Sequence, residues 1–208
     1  MGLARLLYQD PRAFLVLAIP LLYSIIVHEV AHGWVAYLFG DDTAKKSGRL
    51  SLNPLVHLDP VGTLALFLAG FGWAKPVPID YSKIRNLRTG IICISLAGCA
   101  ANILIATAAI AALQLPFIAA HGLTVTITVV LAKINIMLGA LNLIPIPPLD
   151  GSRILLGILP GRAQAMLLQL EPFGLIILLA LLLTGYLNPI ILFVQGLIVG
   201  FIRLVLRV

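Results

Sequence analysis

Charge is what this sequence has least of. Only 11% of its 208 residues are Asp, Glu, Lys or Arg, 61% are hydrophobic, and the mean hydropathy is +1.08. Those values exclude an ordinary soluble domain and predict an integral membrane protein. The stretches that tend polar, 40–60, 74–90 and 146–172, are each loop-sized, leaving no room for a separate soluble domain of usual size. With only two cysteines, Cys93 and Cys99, a disulfide framework is not indicated; six residues apart on an apolar helix, they face different ways. The first apolar run is too long for a secretory leader. Internal repeats are missing. So are basic clusters joined to exposed aromatics, and the net charge of +6 therefore reads as loop lysine and arginine beside a cytoplasmic leaflet, with no nucleic-acid partner.

What is present is concentrated in one place. Inside the apolar run 14–39 stand His28-Glu29-Val30-Ala31-His32. Four residues of helix advance about 6 Å and turn about 400°, which stacks both imidazoles on one face. Zinc suits such a pair, because it accepts imidazole nitrogen and a catalytic site needs three protein ligands with one position kept for water. Glu29 lies beside that position, where a carboxylate can take the proton of a water whose pKa the metal lowers toward about 7. The implied chemistry is hydrolysis. Three ionisable residues at bilayer depth are costly, which favours this reading over a polar cluster that only pins helices together.

Residues 1–12 suit an interfacial helix or a frayed end. A first membrane helix is expected over 11–39, ending at Gly40, followed by a charged loop with a short strand around Leu50 and Leu52. Residues 61–73 are apolar but only about 20 Å long as a helix, short of a bilayer core of about 30 Å, and predict a re-entrant segment. Lys75 to Asp80 contains two prolines and suits an exposed edge strand or a rigid connector. Two more core helices are expected over 89–115 and 124–144. The run Pro145 to Gly151 cannot stay helical and should line a wet cavity. A surface helix over 161–171 and a C-terminal helical hairpin over 173–206, split at Asn188-Pro189, complete one membrane-embedded domain spanning 1–208. The expected fold class is an all-α polytopic membrane protein with a three-helix catalytic core, a re-entrant segment with short strands and that hairpin.

The third ligand has several candidates: Asp150, His57, Asp59, His121 and the two cysteines. Asp150 is favoured because it follows the proline run and Gly151 permits a tight turn; capping the helix that begins near Ser152 is its bland alternative. For Asp150 to reach the histidines, the first and third core helices must run parallel and the second antiparallel, so 61–73 does not cross. Setting that face in the cytoplasm puts most basic residues inside, Arg203 and Arg207 included, with Arg5 and Arg12 outside. Asn102 and Asn142 are amides in apolar helices that either hold substrate backbone or an oxyanion, or bond helix to helix. Lys133, in the middle of its helix, is a further candidate for a functional role. His57 and Asp59 make either a second metal site or ties within their loop.

The His28–His32 motif, the Gly98 to Asn102 GxxxN pattern, and Asn142-Leu143-Ile144-Pro145-Ile146-Pro147-Pro148-Leu149-Asp150-Gly151 together resemble the site-2 protease family of intramembrane zinc metalloproteases. The resemblance implies Zn2+ held by His28, His32 and Asp150, with Glu29 as general base. It further implies a core open to the cytosol of a cell membrane and a single-span membrane protein as substrate. The chain looks like a short member without PDZ or nucleotide-sensing domains, and Gly98-Cys99 stands where many relatives have Gly-Pro. Two readings compete with it: a divalent-metal transporter, since histidines and acids within helices also line ion pathways, and a non-catalytic protein that binds membrane segments. A transporter needs further ligands in a relay across the bilayer, and few are present.

Overall fold

The computed structural model describes residues 3–69 and 74–207. A short helix α1 (Leu3–Gln9) leads to Asp10, whose carboxylate accepts from the Ala13 N–H and starts α2 (Pro11–Leu38) with proline in its first turn. Both features favour a helix start. After it come α3 (Thr43–Lys46), α4 (Pro60–Ala69), α5 (Leu87–Ala112), α6 (Pro116–Ala119), α7 (Gly122–Asn142), α8 (Asp150–Ile158), α9 (Gly161–Leu170), α10 (Gly174–Leu183) and α11 (Asn188–Leu206). Helices α2, α5, α7 and α11 are long and apolar enough to cross a membrane, as is the path Gly161–Leu183 through α9 and α10. The chain is an all-α, integral, multi-pass membrane protein.

Side-chain contacts set the helix directions. On α5, Ile94 meets His32 and Asn102 meets His28, so α5 runs antiparallel to α2. On α7, Asn135 meets Ser24, while Asp150 beyond its end meets His28 and His32, so α7 runs parallel to α2. Buried alanines at 106 and 140 let α5, α7 and α11 approach closely, with Ile198 and Ile202 packed among them. At the start of α11, Leu187 and Ile191 pack with Ile144 and Leu149. Helix α11 therefore departs from the end of the bundle near Asp150 and runs antiparallel to α7.

That direction corrects an expectation about the C-terminal hairpin. Gly174 stands against Pro147, and Leu187 belongs to the Ile144 cluster, so the chain enters and leaves α10 beside the same proline segment. Length and composition would let 161–183 cross, but packing keeps both its later ends on the Asp150 side. Arg203 and Arg207 consequently lie toward the end of the bundle where α2 begins, away from the 40–90 loops.

A further expectation changes. Among the described residues no strand forms, and the antiparallel bridge Leu58–Ala74 stands isolated. In the 74–80 segment Lys75 N–H donates to the His57 carbonyl beside that bridge, but the Val77 and Asp80 N–H groups are taken by the carboxylates of Glu29 and Asp41 and the prolines offer none, so the pairing does not extend into a ladder. The Pro145–Leu149 run is buried on one side only: Ile144, Pro147 and Leu149 are buried, with Ile144 and Leu149 against Leu178 and Leu187, while Pro145 and Pro148 are exposed, and the Ile146 and Leu149 N–H groups donate to the Ile144 and Ile146 carbonyls. Of the expected re-entrant segment, α4 occupies the first part, and residues 70–73 lie outside the described residues.

Candidate metal centre

Helix α2 presents His28 and His32 one turn apart with ring centroids separated by 4.6 Å, edge to face. Their Nε2 atoms are 3.0 Å apart, and Asp150 Oδ2 stands 3.1 Å from the first and 3.2 Å from the second. Each ring turns its other nitrogen to an acceptor: His32 Nδ1–H donates to the Ile94 carbonyl at 2.7 Å, and His28 Nδ1–H to Asn102 Oδ1 at 2.6 Å. With protons there, both Nε2 atoms offer lone pairs to each other and to a carboxylate. Asp150 Oδ2 is buried without a hydrogen-bond partner although two ring nitrogens lie at ion-pair distance, so neither approach has hydrogen-bond geometry.

Converging lone pairs of this kind need a cation. Tetrahedral zinc with bonds of about 2.0 to 2.1 Å holds its ligand atoms about 3.3 Å apart, close to the triangle seen here. Two imidazoles and one carboxylate are also a hard-to-intermediate donor set that leaves a fourth position open. Among the described residues these are the three that gather as such a group.

Two glycines make the approach geometrically feasible. A Cβ on Gly98 would lie 2.5 Å from both His28 Cε1 and His32 Nε2, so only a bare backbone lets α5 come close enough for Ile94 and Asn102 to reach the rings. Gly151 sits where a Cβ would overlap the carbonyl oxygens of Leu143 and Ile144. Beside it, Asp150 is the first residue of α8, a position that favours a carboxylate, and it makes no cap hydrogen bond.

Glu29 is half-buried, and its Oε2 accepts from the Val77 N–H at 3.0 Å. The strap that carries Val77 is itself held by Arg49, a buried guanidinium that donates to the carbonyls of Lys75 and Pro76. Sequence reasoning passed over Arg49 and Val77; an arginine in a loop carries no mark of burial. Asn102 is fully buried and donates to Asn135 Oδ1 at 2.8 Å. Asn142 is half-buried and donates to the Leu138 carbonyl one turn back, and Lys133 is exposed. His57 is buried with its ring on the Ser51 carbonyl, and Asp59 accepts from the Gly62 N–H, so each ties its own loop. His121 is exposed against the Phe117 carbonyl, and both cysteines are free thiols.

Comparison with known proteins points the same way. The sequence model of peptidase family M50 matches residues 110–185, a stretch that includes Asp150. The chain is 39% identical over 189 residues to "Putative zinc metalloprotease YwhC" of Bacillus subtilis, covering 86% of this chain and 85% of that protein. It is 33% identical over 171 residues to "Putative zinc metalloprotease Rip2" of Mycobacterium tuberculosis, covering 80% of this chain and 66% of that one. A match to "Zinc metalloprotease MJ0392" of Methanocaldococcus jannaschii is 31% identical over 147 residues and covers 35% of that longer protein. No solved structure matches the chain.

Proposed function

Because the chain belongs to peptidase family M50, the site-2 proteases, and is thereby a zinc-dependent protease set in a membrane, we propose that it hydrolyses peptide bonds of membrane-spanning segments. In this reading one membrane-embedded domain holds zinc on His28, His32 and Asp150, with Glu29 as general base. The observation that carries it is the triangle of Nε2, Nε2 and Oδ2 at 3.0 to 3.2 Å with both Nδ1 atoms already engaged. Relatives named as zinc metalloproteases favour it over a divalent-metal transporter.

When bound, zinc supplies Lewis acidity toward water and a peptide carbonyl at neutral pH. Glu29 takes the proton of the attacking water and passes it to the leaving amine, while the Val77 N–H holds one of its oxygens in place. His32 lies about 9 Å and His28 about 15 Å before the end of α2, so the reaction takes place below the membrane surface. A helical segment must unwind there, because its carbonyls are hydrogen-bonded and shielded. Segments with Gly or Pro near the scissile bond are the preferred substrates.

Orientation follows from charge. Lys45, Lys46, Arg49, Lys75, Lys83, Arg85, Arg88, Arg153 and Arg162 lie on the side of the bundle where Asp150 sits, and Arg12, Arg203 and Arg207 toward the other. That bias supports a site open to the cytosol of a cell membrane. The test is cleavage of a single-span protein by purified enzyme in liposomes. Glu29→Gln is expected to retain zinc and to lose about 10² to 10⁴-fold in rate. Equal rates would remove Glu29 as the base, and cleavage restricted to soluble peptides would remove the membrane substrate.

A further inference from the structure

Behind His28 runs a chain of polar side chains that the hydrolytic reading does not use. Ser24 Oγ–H donates to the Pro20 carbonyl at 2.6 Å. Asn135 Nδ2 donates both to the Leu131 carbonyl and to Ser24 Oγ, each at 2.8 Å. Asn102 Nδ2 donates to Asn135 Oδ1 at 2.8 Å, and Asn102 Oδ1 accepts from His28 at 2.6 Å. Ser24 is 1% exposed and both asparagines 0%, so water cannot substitute for any partner.

We infer that Ser24, Asn135 and Asn102 are positioning residues that lock His28 in the tautomer whose Nε2 lone pair faces zinc. The direction of the chain is decided at its far end. A helix carbonyl can only accept, so Pro20 turns the Ser24 proton away from Asn135 and leaves Oγ as an acceptor there. Leu131 presents a second acceptor to the same amide. Asn135 must therefore point Nδ2 at both and Oδ1 at Asn102, which in turn must offer Nδ2 to Asn135 and Oδ1 to His28. An amide flip at either asparagine would set acceptor against acceptor in a site without water. The proton of His28 is fixed on Nδ1, and Nε2 is left free. His32 needs no such device, because Ile94 supplies a carbonyl directly.

The inference rests on His28 being a zinc ligand, and the test separates the two claims. Zinc affinity of detergent-purified protein is measured by competition with a fluorescent zinc chelator, alongside thermal unfolding as a check of folding. Asn135→Leu frees the Asn102 amide to flip and should weaken zinc binding about tenfold to a hundredfold. Adding Asn102→Asp should restore most of that loss, since a carboxylate can only accept from His28 and needs no relay to orient it. A role for Asn135 in helix packing alone predicts no rescue.

Unchanged affinity in Asn135→Leu, or a loss that Asn102→Asp does not reverse, overturns the inference. If His28→Ala binds zinc like the wild type, the ligand assignment itself has failed and the inference falls with it. Should Asn135→Leu not fold, the ring nitrogen chemical shifts of 15N-histidine in the zinc-free wild type decide: His28 protonated on Nδ1 supports the relay, and protonation on Nε2 overturns it.

Discussion

At the scale of single residues, the centre depends on what is absent from Gly98 as much as on what the histidines offer. Gly98→Ala places a methyl against both imidazoles and should abolish stoichiometric zinc, measured by elemental analysis of the purified protein, while the helices stay folded by circular dichroism. Asp150→Asn keeps the shape but offers a weaker donor, and its zinc content should fall with it. The convergence of the proposed ligands was legible in the sequence for a chemical reason: metal bonding restricts residue types, and helix periodicity fixes the spacing of His28 and His32. Asp150 could be picked out because a proline run preceded it and a glycine followed. The amides behind them were not legible in the same way. Asn135 is a polar residue in an apolar helix, but its partner Ser24 lies 111 positions away, and an amide at such a position has many potential partners.

At the scale of elements, the core helices were read well and the connections poorly. Apolar runs expected over 11–39, 89–115 and 124–144 form helices at Pro11–Leu38, Leu87–Ala112 and Gly122–Asn142, since membrane length and glycine or proline boundaries constrain them strongly. A strand near 50–52 was expected from alternation, and for 75–80 an edge strand or a rigid connector; pairing is a tertiary matter, and 75–80 is a connector whose Val77 and Asp80 N–H groups go to side-chain carboxylates. The strap over Glu29 gives a test at this scale. Arg49→Leu removes charged hydrogen bonds to the Lys75 and Pro76 carbonyls, each worth about 1.5 to 3 kcal/mol. The 74–80 segment should then be nicked several-fold faster by a soluble protease, read as fragments on a gel, with zinc content unchanged. Equal nicking rates would mean that Arg49 is not what holds the strap.

At the scale of the whole molecule, zinc held on the proposed ligands would join α2 to the α7–α8 turn and should stabilise the bundle. Removing zinc with a chelator is expected to lower Tm, and restoring it at about a thousand times Kd should return about 4 kcal/mol of stability. A Tm indifferent to chelation would separate metal from fold. Topology gives a second measurement: reporters fused after Lys45 and after Arg207 should report from opposite sides of the membrane, because α11 leaves from the end where Asp150 lies. The sequence reading paired 173–187 with 190–206 as a hairpin that returns to its own side, but α10 starts and ends beside the proline run, so α11 alone makes that crossing and its far end was misplaced.

The distance of the two rings from the end of α2 also acts as a ruler. Under the proposed function it sets how far a substrate chain has to be drawn in before a bond reaches the metal, and that length is built into one helix rather than a loop. Inserting residues between the surface anchor and the scissile bond of a substrate should therefore shift the cut by the same number of residues along its chain, leaving its depth in the bilayer constant.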